Sequence, residues 1–142
     1  MADYFRNISE SQFSLIICGE NLPFDEFTAK TGVKPTKVIR KGDLLSRLPE
    51  VVSQEDAWYH SVSLSQPGER DPIMLGMLET IASAKDYLLS LQEQGKKVIL
   101  RLTVNSDKAV MGYRLMPATL TALEKIGLPL DVTSVSWGDM TI

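Results

Sequence analysis

The chain has 142 residues, of which 44% are hydrophobic and 23% charged, and a formal net charge of −3. A chain of this size and composition folds as a soluble globular domain that buries about 68–70% of its unfolded surface, without needing a disulfide or a metal. The acidic balance weighs against nucleic-acid binding. The longest apolar run, Leu15 to Cys18, is far short of the roughly 20 residues of a membrane-spanning helix.

Residues 1–12 are polar and are expected to form a loose arm pinned by Tyr4, Phe5 and Ile8. In FSLIICG, residues 13–19, Phe13, Leu15 and Ile17 alternate with Ser14, Ile16 and Cys18. Both faces are largely apolar, which predicts a central strand. LPFDEFTAKTG, residues 22–32, predicts a short helix. Pro23 suits its first position, Asp25 and Glu26 complement the N-terminal dipole, and Gly32 ends it. Phe24 and Phe27, three apart, supply its buried face. Thr36 to Lys41 predicts a second strand, begun by Pro35 and closed by Gly42-Asp43. Its cations suit a charged edge that resists pairing with another sheet. Residues 44–56 are expected to be a loop with local packing from Leu44, Leu45 and Leu48.

AWYHSVSLS, residues 57–65, predicts a strand with Trp58, His60, Val62 and Leu64 on one face and Tyr59, Ser61 and Ser63 on the other. A turn at 66–70 leads to the longest helix, residues 73–94, capped by Asp71, opened by Pro72 and stopped by Gly95. Its stripe of Met74, Leu78, Ile81, Leu88 and Leu91, flanked by Leu75, Ala82 and Leu89, faces a sheet, and Lys85 interrupts it. Residues 96–104 predict a strand, 105–112 a loop and 113–116 a short returning strand. Pro117 opens a helix through Leu120, Leu123 and Ile126, and Gly127 ends it. The last strand, Leu130 to Trp137, changes apolar phase between Val132 and Val135, which points to a bulge there.

This order predicts an α+β fold: a ferredoxin-like βαββαβ core extended by a further βαβ, in a single, mainly antiparallel sheet with helices on one face. No repeat or linker divides the chain, so residues 1–142 read as a single domain.

The lone cysteine, Cys18, excludes an internal disulfide, and the start of the chain lacks a basic-then-apolar leader. A cytoplasmic location is expected. One histidine and one cysteine do not build a typical zinc site, and no DxDxDG-type calcium loop occurs. No metal or cofactor is therefore expected, and no catalytic residue is assigned. Cys18 sits mid-strand and reads as a small hydrophobe rather than a nucleophile. His60 reads as a hydrogen-bonded core or edge residue, and Trp58 and Trp137 as core or core-rim residues.

PTKVIRKGD, residues 35–43, sets Lys37, Arg40 and Lys41 ahead of a glycine. A phosphate loop needs the reverse order between strand and helix. No aromatic residue between Phe27 and Trp58 is available to stack a base. The charges are nevertheless split. Residues 30–47 hold six cations against Asp43 alone, and residues 50–86 hold seven carboxylates against Arg70 and Lys85. Such a split suits a protein partner. Glu50, Glu55, Asp56, Glu69 and Asp71 are the candidate acidic contact residues, with Lys37, Arg40 and Lys41 as an alternative basic surface.

FSLIICGENLPFDEFTAKTGVKPTKVIRKGD, the Trp58 that opens the next strand, the long helix, VILRLTV and the IGLPLDVTS ending resemble one bacterial family, catalogued as domain of unknown function 4279, over residues 13 to 136. The resemblance implies a fold and no activity. By analogy with small acidic proteins of such families, the expectation is a non-enzymatic protein-binding protein, an immunity-type inhibitor of a bacterial toxin domain. The alternative is a small-molecule-binding or regulatory ferredoxin-like module acting as a homodimer.

Overall fold

Strand β1 (Gln12–Gly19) pairs antiparallel on one side with β5 (Asp56–Ser63) and on the other with β6 (Lys97–Lys108). The computed structural model describes residues 11–64, 70–108 and 114–139. Strand β2 (Lys37–Ile39) adds to β5 as an antiparallel edge, and β7 (Leu130–Asp139) adds to β6 in parallel. The main sheet therefore runs β2-β5-β1-β6-β7. Its one parallel pair follows from chain connection: helix α4 (Pro117–Ile126) lies between β6 and β7, and neighbouring parallel strands need such a crossover.

Side chains alternate across a strand, so the register sorts the two faces. Phe13, Leu15 and Ile17 share one face with Trp58, Val98, Leu100 and Leu102, and all seven are buried. The helices cover this face. Phe27 of α1 (Phe24–Thr31) is fully buried, edge-on to Trp58 at 6.0 Å between ring centres. Met74 and Leu78 of α2 (Arg70–Ile81) and Leu88 and Leu91 of α3 (Lys85–Glu93) join the same core. Burial of such side chains contributes roughly 1.5–3 kcal/mol each.

Several expectations are corrected. Residues 44–56 are not a loop around packed leucines: β3 (Leu44–Arg47) and β4 (Glu50–Val52) form a separate two-stranded hairpin, so there is more than a single sheet. The long helix is broken by a 3₁₀ turn at Ala82–Ala84. Three residues per turn stack Ile81 under Ala84, and both are buried. Strand β6 continues to Lys108 through part of the expected loop, while Arg114–Met116 are not a strand. Among the described residues, the main sheet is thus extended by β7 alone. The β6–β7 register is regular across Val132 to Val135 and shifts between Ser106 and Lys108 instead. Ser11, placed in the expected arm, is fully buried, and its carbonyl accepts from the Leu64 amide. Gln12 of the expected arm begins β1, and Arg70 of the expected turn at 66–70 begins α2, while residues 1–10, residues 65–69 and the side chain of Trp137 lie outside the described residues.

Candidate functional site

Three features stand out, beginning with the turn after β2. Asp43 Oδ2 accepts from the Arg40 amide at 2.8 Å, and the Asp43 amide donates to the Arg40 carbonyl. Gly42 sits at φ 92°, a region that disfavours L side chains. The neighbouring Asp56 carboxylate accepts from the Lys41 amide at 2.8 Å, the Leu22 amide at 3.0 Å and Arg40 Nη1 at 2.7 Å. The Lys41 amide, then the Leu22 amide and the Arg40 guanidinium, hold this carboxyl below its usual range despite its burial. Arg40 also donates to the Leu22 carbonyl and lies 3.8 Å above the Phe24 ring centre. The basic stretch therefore locks the start of β5, the β2 turn and the entry to α1 together.

The β3–β4 hairpin comes next. Hydrogen bonds Gly42 N to Ser53 O and Ser53 N to Asp43 O fasten its base. Beyond them Leu44, Leu45, Leu48, Val51 and Val52 are all exposed. Leu48, at the tip between the Arg47–Glu50 pair, is 94% exposed. A two-stranded hairpin is marginal by itself in water. These apolar groups bury little within the described chain.

The last feature lies on the sheet face that the described helices do not cover. The register sets Ser61, Ser14 and Arg101 side by side on β5, β1 and β6. The Ser14 and Ser61 hydroxyls are 2.7 Å apart. Together with Tyr59, Thr103 and Lys37 they line a cavity of about 490 Å³. Arg101 Nε is buried without a hydrogen-bond partner. The Tyr59 phenol is pushed above its usual range, first by burial and then by nearby Cys18 and Glu55, although Arg101 opposes this. It therefore stays a hydroxyl donor at neutral pH. On the helical side, a second cavity of about 600 Å³ lies between α2 and α4, lined by Leu75, Ala82, Ala122 and Ile126 with Lys85 and Lys125.

The acidic residues expected to meet a partner do not form one surface. Glu50 and Glu55 are exposed, whereas Asp56 is buried in the turn lock. Asp71 does not cap its own helix from outside: it lies within α2, and its Oδ1 accepts from Thr119 Oγ1 at 2.8 Å and the Met116 amide at 3.3 Å at the start of α4. Glu69 lies outside the described residues. The basic trio also divides. Arg40 turns onto Asp56, Lys41 lies 3.8 Å from Glu20, and Lys37 lies over the Tyr59 ring.

His60 Nδ1 is 2.7 Å from the Lys34 carbonyl. A carbonyl only accepts, so Nδ1 carries the proton. His60 and Cys18 lie on opposite sheet faces, which separates that pair. Burial and the Glu55 carboxylate push the Cys18 thiol up, away from the reactive thiolate, while Lys97 and Arg101 pull the other way. Among the described residues, no three His, Cys, Asp or Glu side chains are grouped to hold a metal ion. No helix there is long and apolar enough to cross a membrane.

The sequence reading missed the Arg101 cavity and the exposed hairpin. The signal for the first was a cation within VILRLTV, at an alternate position from its core residues. The signal for the second was two apolar pairs, Leu44-Leu45 and Val51-Val52, around a polar turn region containing Arg47 and Glu50.

These features define a class: small α+β proteins with a mainly antiparallel mixed sheet, helices packed on one face and a polar cavity on the other. A family model described as Domain of unknown function (DUF4279) matches residues 9–136, and the chain belongs to that family. No curated protein and no solved structure matches the chain.

Proposed function

We propose that the chain is a non-enzymatic protein-binding module that meets its partner through the β3–β4 hairpin, in the manner of an immunity-type inhibitor covering a toxin domain. The observation that carries this reading is the exposure of five large apolar side chains on one short hairpin, with Leu44 at 50%, Leu45 at 49% and Leu48 at 94%. Contiguous exposed apolar groups rimmed by charge mark interaction surfaces. Arg47, Glu50 and Glu55 provide that rim. The antiparallel order β2-β5-β1-β6 supports the finer reading of the core as ferredoxin-like.

The test is site-directed photo-crosslinking in the native host. A photoreactive residue at Leu48 is compared with one at Leu120, an exposed position on α4. The expected result is one discrete adduct from the hairpin and none from α4, abolished by Leu45→Asp at unchanged melting temperature. Equal labelling at both positions, or none at the hairpin, sinks the reading. An adduct with a second copy of the chain replaces it with homodimerisation.

A further inference from the structure

We propose that the cavity on the sheet face opposite the described helices binds a small organic phosphate, with Arg101 as its principal anion anchor. The argument starts from an unusual placement. A guanidinium is strongly polar, and burying one of its N–H groups without an acceptor is unfavourable by roughly 1–3 kcal/mol or more. Such a group calls for a physical explanation, and where it lines a cavity an acceptor from outside the chain supplies one. Arg101 Nε is buried and unpartnered, and the side chain lines the cavity. Asp131 is its neighbour across the β6–β7 register, yet Arg101 forms no ion pair among the described residues.

The surroundings select the charge of the ligand. Among the described residues, the cavity lining contains two cations, Arg101 and Lys37, and no carboxylate. Hydroxyl donors converge from three strands: Ser14 and Ser61, Tyr59 and Thr103. The Ser14–Ser61 hydrogen bond uses one of that pair's two hydroxyl protons and leaves the other free to donate. A phosphate monoester presents three acceptor oxygens to this set, and the planar guanidinium fork matches two of them. A carboxylate presents only two oxygens to the same donors. Ile16 and the Tyr59 ring lie side by side on β1 and β5 and supply an apolar floor for the organic part. The volume of about 490 Å³ falls within the roughly 300–1,000 Å³ of small-ligand sites.

The experiment uses the full chain and three probes: adenosine 5′-monophosphate, inorganic phosphate and adenosine. Thermal melts are combined with the Arg101 Nε–H signal in a ¹H–¹⁵N spectrum, assigned by its loss in Arg101→Met. The nucleotide is expected to raise the melting temperature by about 3 °C or more at saturation, and phosphate by less. Both are expected to shift the Nε–H signal, and adenosine to do neither. Arg101→Met is expected to abolish the thermal shift while melting no lower than the parent without ligand, because it removes an unsatisfied buried group. Arg101→Lys, which keeps charge but loses the fork, is expected to weaken binding about tenfold. Failure of both phosphate probes to move melt or signal overturns the proposal. So does a thermal shift that survives Arg101→Met, or an Arg101→Met protein that melts several degrees lower, since Arg101 would then be holding the fold.

Discussion

Asp56 Oδ2 and Arg40 Nη1 lie 2.7 Å apart, but the two side chains are unequal partners: Asp56 is 7% exposed and Arg40 is 53%. Removing the carboxylate strands the Leu22 and Lys41 amides in a buried turn. Removing the guanidinium leaves a carboxylate that still accepts two amide hydrogen bonds. Asp56→Ala is therefore expected to cost about 2–4 kcal/mol, and Arg40→Ala less than about 1 kcal/mol. Urea unfolding measures both. Equal losses would make the ion pair, rather than the amides, the main restraint.

The same donors set a pH dependence. The Asp56 carboxyl is held below its usual value in the folded chain, chiefly by the Lys41 amide, and returns to about 3.9 on unfolding. A carboxyl lowered by folding adds stability above its unfolded pKa and loses it as pH falls through the folded one. The contribution from Asp56 is thus expected to be constant from neutral pH to about pH 5 and to fade below about pH 4. Asp56→Asn should flatten the fall in urea midpoint over that acidic range. An unchanged slope in the variant would assign the acid sensitivity to other groups.

Gly42 tests backbone strain without steric complication. Its φ is 92°, yet nothing lies within 4 Å of the position a Cβ would take. Gly42→Val is expected to lose about 1–2 kcal/mol through the backbone alone, and Gly42→Asn less. Any loss of partner binding should vanish when folded fractions are matched. A Gly42→Val protein of parental stability would show that the turn relaxes to another conformation.

Asp71 and Thr119 join the starts of α2 and α4, with Asp71 Oδ1 2.8 Å from Thr119 Oγ1 and Thr119 almost fully buried. The carboxylate also receives the Met116 amide, so it caps α4 from another helix. Asp71→Ala is expected to cost about 1 kcal/mol, as a lost helix cap does. Thr119→Val should couple to it in a double-mutant cycle by at least about 0.5 kcal/mol. Strictly additive losses would show that the two residues act independently.

Local pattern carried most of the elements. Alternation in residues 13–19 and 57–65 placed β1 and β5, and Gly32 and Gly127 end their helices in the left-handed conformation. Pro35 and the following cations marked β2 correctly as an edge. The hairpin was less legible because its leucines and valines look like core residues, and the chain order does not say whether a helix will cover them. Asp71 looked like a local cap because proline follows it. Its partners, Met116 and Thr119, are more than forty residues away.

What the sequence determined by itself was the α+β class, the central strands, the edge strand and the turn at Gly42-Asp43. These depend on short-range rules: side-chain period, turn conformation and helix stops. Tertiary structure alone decided which charges are spent inside. It buried Asp56, turned Arg40 onto it, and aligned Arg101 with Ser14 and Ser61 across three strands. Register and packing bring together residues far apart in the chain, and a charge shows its role only once its nearest neighbours are known.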